Sequence, residues 1–299
     1  WGALAAPIWL TAYAHGGALA EAGVGLDWHV HEMAFGFVGA IVAGFLLTAV
    51  PNWTGRLPVI GIRLAVLFGL WLAGRAGMLL APVLGGWAAA ADMVFLVAFA
   101  AVIWREVLAG RNWRNLPVAV MVSLIALADA GLHLGGEAGL GLFLRLALAT
   151  VAMLLALIGG RVTPSFTRNW QLKRGGPLPA SPGGRFDQAV LLLTAASLVA
   201  WTAAPDARLV GFALLLAGAL SLARLARWKG WATVAEPLVL ILHLGYLWLG
   251  VALILTGLAA AFMPEIRSAG VHALTTGAMG VMILAMTTRA SRGHTGRPL

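Results

Sequence analysis

Cysteine is absent from the 299 residues. Thiolate metal sites, structural disulfides and cysteine nucleophiles are excluded with it. Charge is nearly as scarce: Asp, Glu, Lys and Arg make up 10% of the chain, where a soluble domain carries about 25%. Also missing are a Gly-rich phosphate loop, an HExxH zinc motif and a nucleophile with a paired base. What is present is apolar. Hydrophobic residues reach 61% and the mean hydropathy is +0.91, which marks an integral membrane protein rather than a large soluble core. A net charge of +9 would suggest nucleic acid in a soluble chain. Here the cations sit in short loops, where they set topology, and no nucleic-acid partner is expected.

A spanning helix needs about 20 apolar residues, and Pro/Gly clusters or charges mark the breaks between spans. Ten segments follow: a partial one at about 1–14, then 31–50, 60–81, 87–104, 116–134, 139–160, 187–204, 209–224, 237–261 and 270–289. The longest connection, about 161–186, reads as a basic Gly/Pro-rich loop. The expected fold is an all-α polytopic transmembrane helix bundle, one transmembrane domain over residues 1–299. Trp1 already lies inside an apolar segment, so the chain is expected to be a piece cut at both ends. Of the Lys and Arg residues, sixteen fall in the loops after even-numbered spans and two, Arg208 and Arg267, on the other side. The positive-inside rule places the even-numbered loops in the cytoplasm.

With that orientation the remaining polar groups gather in one layer. His29, His31 and Glu32 lie at the outer end of span two, Arg75 in the outer half of span three, and Asp92 near the outer end of span four. Asp129 and His133, one helical turn apart on one face, end span five; Arg145 lies toward the outer side of span six, and His272 begins span ten. His243 is the exception, in the inner third of span nine, and His294 follows the last span. Burying such groups in hydrocarbon is costly unless they find partners or a metal.

Imidazole and carboxylate are the available metal donors. Residues two apart on a helix face nearly opposite sides, so His29 and His31 share one metal only if His29 lies in non-helical backbone. Asp129 beside His133 is either a carboxylate orienting a metal-ligating imidazole or a simple hydrogen bond. Arg75 and Arg145 either pair with Asp92 and Asp129 or hold an anion such as a haem propionate. Gly36, Ala40 and Gly44, like Gly270, Gly277 and Gly280, read as close-packing helix faces.

The run Trp28-His29-Val30-His31-Glu32-Met33-Ala34-Phe35-Gly36-Phe37, continuing through Ala43-Gly44-Phe45 to Asn52-Trp53-Thr54-Gly55-Arg56, closely resembles the NnrS family. So do Leu70-Trp71-Leu72-Ala73-Gly74-Arg75, His243-Leu244-Gly245-Tyr246-Leu247-Trp248, Gly270-Val271-His272-Ala273-Leu274-Thr275 and the ending Arg289 to Arg297. The resemblance implies a multi-pass protein of the bacterial inner membrane with about twelve spans, holding haem b and copper and acting in denitrification and nitrosative stress. It makes His29, His31, His243 and His272 the favoured metal ligands; His133 joins them from the depth argument. Arg75 and Arg145 are cofactor-binding candidates, and Glu32, Asp92 and Asp129 are expected to orient the ligands.

The expected function is protection against nitric oxide, by binding it or by limiting its attack on cellular iron. A second reading is a proton-coupled transporter using Arg75, Asp92, Asp129, His133 and Arg145. A third is an enzyme that metabolises nitric oxide at a haem–copper site, although the histidine spacings do not reproduce the haem–copper oxidase motifs.

Overall fold

In a medium without water every backbone N–H and C=O must be satisfied within the segment, and the helix does this locally. The computed structural model describes residues 1–299 except 22, 177 and 295–299, and the side chains of these except 18, 137, 138, 293 and 294. His294 therefore lies outside the described side chains. Among the described residues there is no strand, and the chain is an all-α polytopic bundle. We label its principal helices α1 (Gly2–His15), α2 (Leu26–Thr54), α3 (Ile62–Leu79), α4 (Gly86–Ala109), α5 (Trp113–Leu134), α6 (Gly139–Arg174), α7 (Arg185–Ala203), α8 (Arg208–Ala226), α9 (Pro237–Ala261) and α10 (Pro264–Arg292). Nine of these, α2 to α10, are long and apolar enough to cross a membrane, and no more than half of any apolar window is buried. Apolar side chains such as Phe68, Val97, Leu192 and Leu284 face outward. That inverts the pattern of a soluble protein and suits a lipid surround.

Two boundaries differ from the sequence expectation. Helix α2 begins at Leu26, so the Trp28–Glu32 stretch is helical rather than the mouth of a helix. Helix α6 runs 36 residues to Arg174, roughly 54 Å at 1.5 Å per residue, well beyond the ~30 Å hydrocarbon layer. Arg161, Arg168, Lys173 and Arg174 thus ride on a helix and not in a loop.

The chain forms two compact units, Trp1–Leu148 and Ala149–Leu299. In the first, α3 packs on α4 through Gly74 and Gly77, where an added Cβ would press on Asp92 and Ala88. In the second, Gly211 and Gly218 on α8 meet Gly257 and Gly250 on α9, the close small-residue approach usual between membrane helices. On α10, Gly270 lies on Thr256 and Gly277 on the Trp248 indole, so these two glycines do make close packing faces.

Among the described residues three π-helical turns interrupt the helices: Glu32–Phe37, Leu155–Gly159 and Ala273–Gly280. A π turn re-aims side chains and releases carbonyls from the regular ladder. Trp71 Nε1 donates to the Gly36 carbonyl at 2.9 Å in the first. In the second unit Arg224 donates to Ala156 O at 3.1 Å, and to Gly160 O at 3.5 Å, whose usual donor is lost at Pro164. Arg224 also pairs with Asp187 at 2.7 Å and donates to Tyr246 Oη at 2.8 Å. Read from sequence as a loop cation, Arg224 is instead a buried tie between α6, α7, α8 and α9.

Candidate metal centre

Four side chains from α2, α4 and α5 converge in the first unit. His31 Nε2 is 2.9 Å from Asp92 Oδ2 and 3.1 Å from Asp129 Oδ1. His133 Nε2 is 3.0 Å from Asp92 Oδ2 and 3.8 Å from Asp129 Oδ1. Nitrogen and oxygen therefore alternate around a four-cornered ring, and all four donor atoms lie within 4.8 Å of one another. Metal–N and metal–O bonds of about 2.0–2.2 Å require neighbouring donors about 2.8–3.1 Å apart in a square arrangement and about 3.3–3.6 Å apart in a tetrahedral one. Three edges, at 2.9, 3.0 and 3.1 Å, match the square spacing, and the fourth, His133 to Asp129 at 3.8 Å, is longer than either geometry and would have to close on a metal.

The surroundings fix this ring. His31 turns its other nitrogen, Nδ1, toward Glu32 Oε1 at 3.3 Å, the carboxylate–imidazole pairing that orients metal-ligating histidines. Glu32 in turn accepts from Arg75 at 2.5 Å and from Trp1 Nε1 at 2.5 Å. The second arm of the Arg75 guanidinium donates to Asp92 Oδ1. Gly36 is what admits that guanidinium: a Cβ there would collide with it and sit 2.8 Å from Glu32 Oε2. The ridge glycine thus makes room for an ion pair, not for a neighbouring helix.

Burial makes the charge balance decisive. Glu32 and Asp129 are 0% exposed, Asp92 and Arg75 2%, and His31 4%. With both imidazoles neutral, three carboxylates against one guanidinium leave two negative charges in a low-dielectric layer, an expensive excess that a bound cation or a protonated imidazole must offset. Asp129 Oδ2 is also buried without a hydrogen-bond partner. A divalent cation in the ring would cancel the excess, and would also engage Asp129 Oδ2 if that carboxylate bound it through both oxygens. The donor set of two imidazoles and two carboxylates suits non-haem copper, iron, zinc or manganese. It does not fit haem, because a flat macrocycle cannot approach a nitrogen that has carboxylate oxygens 2.9 and 3.1 Å away.

His29 and Arg145, the other expected site residues of the first unit, are not among the corners of this ring. His29 stacks on Trp9 with ring centres 4.1 Å apart, turned away from His31 as a regular helix requires. Arg145 folds along its own helix, its guanidinium 3.0 Å from where a Cβ on Gly141 would be. In the second unit, exposed His272 lies with Nδ1 2.8 Å from the Ser268 carbonyl, so Nδ1 carries the proton and Nε2 the lone pair. Buried His243 lies with Nε2 2.8 Å from Thr167 Oγ1. That hydroxyl donates its own proton to Thr163 O at 2.8 Å, so it must accept from His243. The remaining lone pair, on Nδ1, faces Gly230, where a Cβ would sit 2.7 Å away. No macrocycle fits on that nitrogen.

Sequence reasoning put Asp92 and Asp129 behind the histidines. In the structure their oxygens and the imidazole nitrogens all lie within 4.8 Å of one another, so the two aspartates are potential ligands as well. The NnrS protein family matches residues 1–299, the whole chain. The chain belongs to the NnrS family. No curated protein and no solved structure matches it. The NnrS motif around His31 thus supplies one corner of the ring, and the residues that complete it come from α4 and α5, outside the motif stretches.

Proposed function

We propose that this NnrS-family chain is a metalloprotein of the bacterial inner membrane that protects against nitric oxide. The observation that carries the reading is the ring of buried His31, Asp92 and Asp129 with half-buried His133, in which the carboxylates outnumber the guanidinium that pairs with them. These four residues would hold one non-haem divalent ion, copper by the family resemblance. Glu32 holds the His31 ring in orientation, and Arg75 clamps Glu32 and Asp92 in place. A bound metal would supply an electron-rich or electron-poor centre, according to its redox state, to which a small diatomic molecule can attach. Nitric oxide is small, uncharged and soluble in the bilayer, so it reaches such a site without an aqueous channel. Haem b would be held at a different site, where its iron would be bound by His272. Its Nδ1–H is fixed on a backbone carbonyl and its Nε2 is exposed.

The test is metal and haem analysis of the full-length protein purified in detergent. His133→Ala is expected to lose the non-haem metal while keeping the Soret band, and His272→Ala to lose the Soret band while keeping the metal. The proton-coupled transporter is the competing reading, favoured by the same hydrogen-bonded ring, which could pass protons between His31 and His133 through Asp92. A folded, colourless, metal-free protein selects it.

A further inference from the structure

Beside the ring lies a cleft of about 290 Å³ whose lining includes His31, His133, Trp28 and Met78 but neither Asp92 nor Asp129. A metal in the ring would therefore be backed by its carboxylates and approached from the imidazole side. Buried His31 and Trp28 lie at the inner end of the cleft, and exposed Asp27 and Pro82 form its rim, with half-buried Ala81 beside Pro82. The volume lies at the lower edge of the ~300–1,000 Å³ range of small-molecule pockets. Among the lining residues Asp27 carries the one formal charge, the histidines apart, and it is negative. An anion approaching this mouth meets repulsion at the rim and apolar walls behind it, whereas an uncharged molecule meets neither penalty.

Resting on the metal reading above, we propose that this cleft is the entry and binding site for a small uncharged ligand of the metal. Asp27 is its specificity-determining residue, holding off small anions. The same site without that residue would admit anions of similar size. The ligand class is a neutral diatomic molecule, and the excluded class is a linear or bent anion such as azide or nitrite.

The experiment compares nitric oxide and azide association with the metal-loaded full chain by stopped flow. It follows the metal signal that His133→Ala abolishes. Asp27→Lys is expected to speed azide association about 3- to 10-fold at low ionic strength, with the gain vanishing near 1 M salt and nitric oxide unaffected. Ala81→Phe, which fills the cleft, is expected to slow both ligands at least about tenfold with metal content unchanged. Should Ala81→Phe fail to fold, the exposed Asp27→Lys variant decides alone. Metal retained with wild-type rates for both ligands in the folded variants overturns the entry site and leaves the metal centre standing. Wild-type protein without metal at the ring overturns both.

Discussion

Each member of the ring is held by something else, and that dependence gives distinct expectations at the residue scale. Glu32→Gln keeps the shape of the side chain but weakens its grip on His31 Nδ1 and on Arg75. Metal affinity is expected to fall about 10- to 100-fold with the fold intact, measured by competition with a chelator. Arg75→Met is more severe. It leaves Glu32 and Asp92 buried without their cation, a loss of about 3–5 kcal/mol that thermal unfolding in detergent would register as a lowered midpoint. Much of this centre was legible in the sequence. Depth along the spans singled out nine groups, of which His31, Glu32, Arg75, Asp92, Asp129 and His133 meet, while His29 and Arg145 are not among them and His272 belongs to the second unit. What could not be read was rank: whether a carboxylate ligates or orients depends on distances of a few tenths of an ångström across three helices. His29 illustrates the other limit. Its motif position promised a ligand, but adjacency in sequence two residues from His31 is opposition on a helix.

At the scale of elements, the π turns and glycines decide where polar groups can reach. The turn over Glu32–Phe37 follows His31 directly and offers the Gly36 carbonyl to Trp71, so that α2 and α3 are tied beside the site. Gly36→Ala is expected to push the Arg75 guanidinium off Glu32, lowering both the thermal midpoint and metal content. The overpacking cost is about 1–3 kcal/mol. Gly44 is the control on the same helix, since a Cβ there meets nothing within 4 Å and Gly44→Ala should leave both readouts unchanged. Sequence gave no hint of these turns, because the apolar pattern of a π turn in a membrane helix is the same as that of an α turn. The extension of α6 to Arg174 escaped notice for a related reason. Hydropathy ends where the hydrocarbon ends, but the helix does not have to.

At the scale of the whole molecule, the charge asymmetry of the loops makes the orientation testable. The chain has no cysteine, so single cysteines report without background. Asp206→Cys is expected to react with a membrane-impermeant thiol reagent from the outside of intact cells, and Arg114→Cys only after the membrane is opened. With that orientation the imidazole-lined cleft would lie in the outer part of the bilayer. The helix count was readable because nine long apolar runs and the alternation of Arg and Lys enforce each other. The division into Trp1–Leu148 and Ala149–Leu299 was not, since hydropathy alone carries no information on which spans pack together. The central claim is that His31, Asp92, His133 and Asp129 hold one non-haem divalent metal. The direct measurement is the elemental metal content of purified wild-type protein beside Asp129→Asn and His133→Ala, with haem quantified separately from the Soret band. The account predicts about one equivalent of non-haem metal in the wild type, lost in His133→Ala and reduced in Asp129→Asn, with haem the same in all three. Equal non-haem metal in the wild type and both variants would contradict it.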